Sequence, residues 1–274
     1  MHIDGWKTLA SHDGGDIVLA VDFTLGRPDA SFADLAREFE VDAAVLETEV
    51  VGPGRSGKLS VDPERYLSTW LDGVAARAGS VVGVMGYCAG ASFAVALVDR
   101  LAERFSLEPK LILLNPLVVS PEIIRGEFVD AVRALDEGLT ELEVEGELRW
   151  LDALFPDGEV QLVALGEALL ARYRSCLDVV VERLELEDDV VDELSSRFAS
   201  YLDYLMAASG VPLVGRGSRP VVVYDTAYEV APEFARRCVR IDVGGGHLLG
   251  AAGVADVCSA LFRQLRRPVV LSGR

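Results

Sequence analysis

The sequence is short of positive charge, of histidine and of clustered cysteine. Its 274 residues carry 26 lysines and arginines against 44 aspartates and glutamates, a formal charge of −18. Gripping a phosphate backbone needs a basic face, so nucleic acid is not an expected partner. The four cysteines, Cys88, Cys176, Cys238 and Cys258, lie far apart, with no C-x-x-C pair and no partnering histidines. No metal site is expected from them. There is no G-x-G-x-x-G after a strand, no phosphate loop and no H-E-x-x-H, so no cofactor is expected either. Met1-His2-Ile3-Asp4-Gly5 lacks the basic, apolar and small-residue order of a secretory signal. No apolar run approaches the roughly 18 residues of a membrane span. These absences point to a cytoplasmic protein with free thiols and no membrane partner.

What the chain does have is hydrophobicity. Half of its residues are hydrophobic and the mean hydropathy is +0.28. That excludes disorder as the main state. A chain of this length buries roughly three-quarters of its unfolded surface, so the core needs no disulfide or metal staples.

Short apolar runs alternate with amphipathic stretches. Strands are expected at Ile17–Val21, Ala43–Leu46, Val81–Met85, Leu111–Leu114, Val221–Tyr224 and Val239–Val243. Helices are expected at Phe32–Phe39, Pro63–Arg77, Ala91–Arg104 and Val254–Leu265. Nearly continuous apolar strands between helices predict an α/β fold with a mostly parallel sheet covered on both faces. The rhythm breaks at residues 118–212, which have helical periodicity and no strand pair. That stretch holds 22 acidic residues against seven arginines and no lysine, so −15 of the net −18 sits there. It reads as a helical insertion in a core formed by residues 1–117 and 213–274. Its charge is a solvated outer face, the insertion itself a lid over an active site, or both.

The most informative residues are Gly86-Tyr87-Cys88-Ala89-Gly90, between an expected strand and an expected helix. This is G-x-C-x-G, the thiol version of the nucleophile elbow. A strained turn lifts the sulfur clear of the sheet, and the glycines let strand and helix backbones pass closely. The helix N-terminus favours thiolate at Cys88. The Ala89 N–H is placed for a developing oxyanion. A thiol nucleophile also needs a base. Of the three histidines, His2 and His12 are near the N-terminus; His247 follows an expected strand through Gly244-Gly245-Gly246. His247 is therefore the expected base. Asn115, Asp225 and Glu229 are each able to orient it from strand ends, and each has a bland alternative as a turn-former or cap. A second oxyanion donor is expected after the first strand, at Thr24 or Leu25, with Gly26 allowing the turn.

Together these residues resemble the thioesterase branch of the α/β-hydrolases, which releases polyketides and nonribosomal peptides. Val18 through Phe39 is similar to that family's strand, oxyanion loop and helix. Gly52-Pro53-Gly54-Arg55 resembles its P-G-R turn and Gly245-Gly246-His247 its G-G-H loop. Tyr87 replaces the usual histidine before the nucleophile. The insertion sits where the family carries a helical lid. Cysteine replaces the serine of most members. Stand-alone members with that substitution include Dieckmann cyclases that form tetramic acid or pyridone rings. They have an aspartate at the end of the next strand, where this chain has Asn115.

The resemblance implies a catalytic set of Cys88, His247 and Asn115, an oxyanion hole at Ala89 and Thr24, and an acyl or peptidyl carrier protein presenting a phosphopantetheine-tethered substrate. The chemistry of sulfur favours ring closure. An acyl thioester reacts relatively well with carbanions and amines, its thiolate leaves readily, and its α-protons are acidic. Intramolecular attack gains further from effective molarities that reach about 10⁵ M or more. The expected activity is a Dieckmann cyclase of antibiotic biosynthesis. A hydrolytic or lactonising thioesterase and a non-catalytic hydrolase-fold binding protein are the alternatives. Residues 213–274 carry nine arginines against five acids. An acidic carrier protein is expected to dock there, through Arg236, Arg237, Arg240, Arg263, Arg266 and Arg267.

Overall fold

A computed structural model describes residues 3–24, 30–50, 52, 58–154, 161–217, 219–226, 234–244 and 246–264. Its strands are β1 (Trp6–Ala10), β2 (Ile17–Val21), β3 (Ala44–Thr48), β4 (Val81–Tyr87), β5 (Lys110–Leu114), β6 (Val221–Asp225) and β7 (Arg237–Ile241). They form one seven-stranded sheet in the order β1-β3-β2-β4-β5-β6-β7. Every pairing is parallel except that of β1 with β3. Helices α1 (Phe32–Glu38), α2 (Glu64–Val74), α3 (Gly90–Phe105) and α8 (Ala252–Gln264) accompany this sheet. This is the expected α/β-hydrolase architecture.

The central strands are buried because their residues are apolar on both faces. β2 is buried throughout, and so are the last four residues of β5. One core cluster joins Val18, Phe32, Met85, Ile112, Val223, Leu249 and Phe262. The sequence reading missed β1. Its W-K-T-L-A is buried only at Trp6, whose indole N–H donates to Trp70 O at 2.8 Å. β7 begins two residues before the expected run, because pairing with β6 sets Arg237 opposite Val221. α2 ends at Val74 and continues as a 3-10 turn, Ala75–Ser80.

The chain divides into two compact units. One comprises residues 1–49, 64–118 and 211–274; the other comprises 50–63 and 119–210. The sequence reading had grouped residues 50–63 with the sheet. In the second unit, Ser60 N–H donates to the buried Asp203 carboxylate at 3.0 Å. This unit is built from α4 (Pro121–Arg133), α5 (Glu141–Ala153), α6 (Leu162–Leu184) and α7 (Asp188–Ser209). α4 starts at a Ser120 cap with Pro121 behind it, and α5 at a Thr140–Glu143 capping box. Tyr173 packs on Phe198 with ring centroids 4.4 Å apart, and Phe128 lies 5.8 Å from Trp150. Arg183 pairs with Glu143 on an exposed face, and Arg172 pairs with the partly buried Glu147. No helix among the described residues is long and apolar enough to cross a membrane.

Candidate active site

The turn between β4 and α3 carries Cys88 with φ of 51°. That left-handed conformation is unfavourable for a residue with a Cβ and persists only where its surroundings enforce it. The surroundings are specific. Cys88 N–H donates to Leu114 O at 3.0 Å, and Cys88 C=O accepts from Ala91 N–H at 3.1 Å and Leu117 N–H at 3.0 Å. The exit of β5 thus braces the turn on both sides. Gly86 is required by the close passage of α3: a Cβ there would stand 2.6 Å from Ala94 Cβ and 2.7 Å from Ala91 Cα. Ala89 is buried and caps the N-terminus of the 16-residue α3. The positive end of that helix is therefore presented beside the sulfur-bearing residue.

His247 follows β7 and caps the short 3-10 turn Leu248–Gly250. Its Nδ1 accepts from Leu249 N–H at 3.4 Å. Its Nε2 lies 3.0 Å from the Tyr87 hydroxyl, with the two rings 5.2 Å apart and tilted by 46°. Tyr87 directly precedes Cys88, so this contact ties the imidazole to the Cys88 turn.

Asn115 and Asp225 end the adjacent strands β5 and β6. Asn115 has φ of 41°, which asparagine tolerates better than most residues. Its side chain grips Asp225 twice. Nδ2 donates to Asp225 Oδ2 at 2.7 Å, and Oδ1 accepts from Asp225 N–H at 3.1 Å. Asn115 N–H donates to Val223 O at 3.0 Å, which fixes the strand ends in register. The sequence reading offered these two as alternatives, whereas the fold makes them a pair.

Thr24 is half-buried just beyond β2. Leu25, Gly26, Glu229, Gly245 and the Pro53-Gly54-Arg55 turn lie outside the described residues. Burial pushes the Cys258 thiol up to about 12, and burial followed by the nearby Glu147 carboxylate does the same for Cys176. Among the described residues no group of three or more histidines, cysteines or acids is placed to hold a metal ion.

The arginines expected to meet an acidic partner divide by position. Arg236 and Arg237 lie at the start of β7, the end of the sheet away from Cys88. A cavity of about 620 Å³ opens at that same end, lined by Lys110, Val221, Arg219 and Arg236 among others. It includes none of the candidate site residues. Arg240 lies toward the other end of β7 and donates to Thr226 O at 3.4 Å. Arg263 pairs with Glu40, and Arg266 and Arg267 lie outside the described residues.

Sequence reasoning missed the contact of Tyr87 with His247. It noted the residue only as a replacement for a histidine. The available signal was position, since a side chain adjacent to Cys88 starts at the C-terminal end of the parallel strands, beyond which His247 also lies.

No family model matches the sequence, and no curated protein matches it. Solved structures do. The chain is similar to the Vlm2 thioesterase domain bound with a dodecadepsipeptide, at 21% identity and a TM-score of 0.50, over 94% of this chain and 97% of that one. It is similar to part of AB3403, a four-domain nonribosomal peptide synthetase, at 12% identity and a TM-score of 0.58. That match covers 97% of this chain and 20% of the synthetase. An acetylester hydrolase from Corynebacterium glutamicum matches at 12% identity and a TM-score of 0.52, over 95% and 88% of the two chains. At these identities the likeness is one of fold.

Proposed function

We propose that this protein is a cysteine-dependent acyl-transfer enzyme that takes an acyl chain from a carrier-protein thioester and releases it by Dieckmann ring closure. The observation that carries the reading is Cys88 itself. A thiol-bearing residue is held at positive φ by three backbone hydrogen bonds, at the head of a helix, next to the tyrosine that contacts His247. A structural cysteine has no need of that strain. Similarity to a thioesterase domain and to part of a nonribosomal peptide synthetase supports the carrier-bound substrate.

In this reading His247 removes the Cys88 proton, and the thiolate attacks the substrate thioester carbonyl and expels the carrier thiol. Ala89 N–H and an N–H near Thr24 hold the oxyanion. His247 then takes the acidic proton between two substrate carbonyls. The carbanion attacks the acyl-Cys88 carbonyl, forms the ring C–C bond and expels the Cys88 thiolate, which recovers a proton from the imidazolium. Asp225 is the carboxylate that stabilises this imidazolium, and Asn115 is its holder. The Asn115–Asp225 pair explains why asparagine stands where the resembling cyclases have aspartate: a second carboxylate would face the first at about hydrogen-bond distance, and the two would have to share a proton.

The test is incubation with an N-acetylcysteamine thioester of an N-(β-ketoacyl) amino acid, followed by mass spectrometry of protein and product. The expected result is an acyl adduct on Cys88 and a cyclic product. An open-chain acid, heavier by one water, would replace ring closure by the hydrolytic alternative. Absence of any Cys88 adduct would leave the binding-protein alternative.

A further inference from the structure

The end of the sheet away from Cys88 carries a hollow that the acyl-transfer reading does not use. It measures about 620 Å³, within the range of roughly 300–1,000 Å³ that holds small ligands. Across the β4–β5 ladder Lys110, in its lining, is level with Gly83, and Leu114 is level with Tyr87. A strand length of roughly 15 Å therefore separates the hollow from the Cys88 turn. Its buried lining is apolar: Val98 of α3, Leu111 of β5 and Val221 of β6.

The charged lining is unevenly matched. Arg216 engages two of its acids, the backbone N–H donating to Asp99 Oδ2 at 3.0 Å and Nη1 to Glu103 Oε1 at 2.9 Å. Glu108 remains, against Arg219 and Arg236. The fold holds these two arginines close. Arg236 N–H donates to Pro220 O at 2.8 Å, and Pro220 directly follows Arg219. Both arginines are exposed, and neither guanidinium has a hydrogen-bond or ion-pair partner among the described residues. Neighbouring like charges repel, and an anion held between them relieves that repulsion. A guanidinium fork also matches the oxygens of a carboxylate or a phosphate.

We infer that this hollow binds a small organic anion, a carboxylate or phosphate monoester carried on a compact apolar body. The head group meets Arg219 and Arg236, and the body rests on Val98, Leu111 and Val221. The site is separate from the Cys88 turn and does not rest on the proposed function.

The experiment is titration of the ¹⁵N-labelled full chain, followed by proton–nitrogen correlation of its backbone amides. Benzoate should shift the amides of Val98, Ala102, Leu111 and Val221, with a dissociation constant of about 1–10 mM, the strength of a fragment-sized ligand. Benzyl alcohol, which lacks the charge, and acetate, which lacks the body, should each bind at least about fivefold more weakly. Arg219→Glu and Arg236→Glu should each weaken benzoate about threefold to tenfold without changing the melting temperature by more than a few degrees. Ala102→Phe, on the exposed side of α3 at the hollow, should block it. Phenyl phosphate binding more tightly than benzoate would identify a phosphate monoester as the natural head group, and the reverse order a carboxylate. Benzyl alcohol binding as well as benzoate would leave an apolar hollow without anion preference, and acetate binding as well would leave a charged surface only; either overturns the inference. So would benzoate shifts confined to other residues, or benzoate binding unchanged in both arginine variants. A hexaglutamate peptide that shifts the same amides at concentrations more than tenfold below either small anion would assign the arginines to an acidic protein instead. None of these readings involves Cys88, so a failed thioester assay leaves the inference standing and a failed titration leaves the proposed function standing.

Discussion

The α/β unit and the helical unit use their residues in opposite ways. In the first, the central strands are apolar on both faces, and the polar groups of the candidate site are gathered at strand ends: Cys88 after β4, Asn115 after β5, Asp225 at the end of β6 and His247 beyond β7. In the second, charge is spread over helix faces and is met by local partners such as Arg183 with Glu143. The difference teaches how to weigh an unusual residue. On the proposed reading, the strain at Cys88 and the close approach at Gly86 mark chemistry, while charge in the helical unit marks solvation and helix ends.

The sharpest way to break that contrast is to exchange the thiols. Cys88→Ala should abolish the acyl adduct and lower turnover by about 10³-fold or more. Cys176→Ala, which removes the buried cysteine of the helical unit, should leave both unchanged; loss of the adduct in that variant would sink the contrast. Glycines test the same point through stability. Gly86→Ala should destabilise by about 1–3 kcal/mol, since its Cβ would overlap α3. Gly146→Ala, in α5 with nothing within 4 Å of the added Cβ, should instead stabilise by up to about 1 kcal/mol. Denaturant midpoints measure both.

Asn115→Asp should place a second carboxylate against Asp225. Close like charges raise the affinity of the folded pair for a proton above that of the unfolded chain. The penalty is therefore absent in acid and grows as pH rises. Melting temperatures should show the variant near wild type at pH 4 and destabilised by about 1–3 kcal/mol at pH 8. A constant difference across pH would show that Asn115 acts through shape alone. The smallest effect is expected at Glu143, which Arg183 and then the Thr140 cap hold below the usual carboxylate range. A lowered folded value gives stability above the ordinary 4.5 and loses it as pH falls. Glu143→Gln should thus lower the melting temperature slightly at pH 7, and the gap should narrow below pH 4.5. A gap that widens in acid would reverse the assignment.

The sequence made the buried parallel strands legible because they are uninterrupted apolar runs. β1 was hidden because an antiparallel edge strand buries little, and W-K-T-L-A looks like any polar segment. The start of β7 was hidden because Arg237 enters the ladder for its backbone alone. The strand-to-helix turn at Cys88 and the placement of His247 after the last strand were legible from motif and order. The Asn115–Asp225 pair was not: the residues are 110 positions apart, and only the placement of β5 beside β6, across the whole helical insertion, brings them together. Tyr87 was in view but without a partner.

The cap that His247 provides to the turn Leu248–Gly250 gives this residue a second reason to persist. That turn leads directly into α8, so a side-chain acceptor at position 247 helps start the last helix whatever chemistry the molecule performs. A descendant of this chain that had lost its reaction would still gain from keeping histidine there, or from exchanging it for asparagine, whose carbonyl can also accept from Leu249 N–H. Retention of His247 in a relative is therefore weak testimony of activity. A relative with asparagine at this position and an intact Cys88 turn would mark the point at which the fold outlived the proposed reaction.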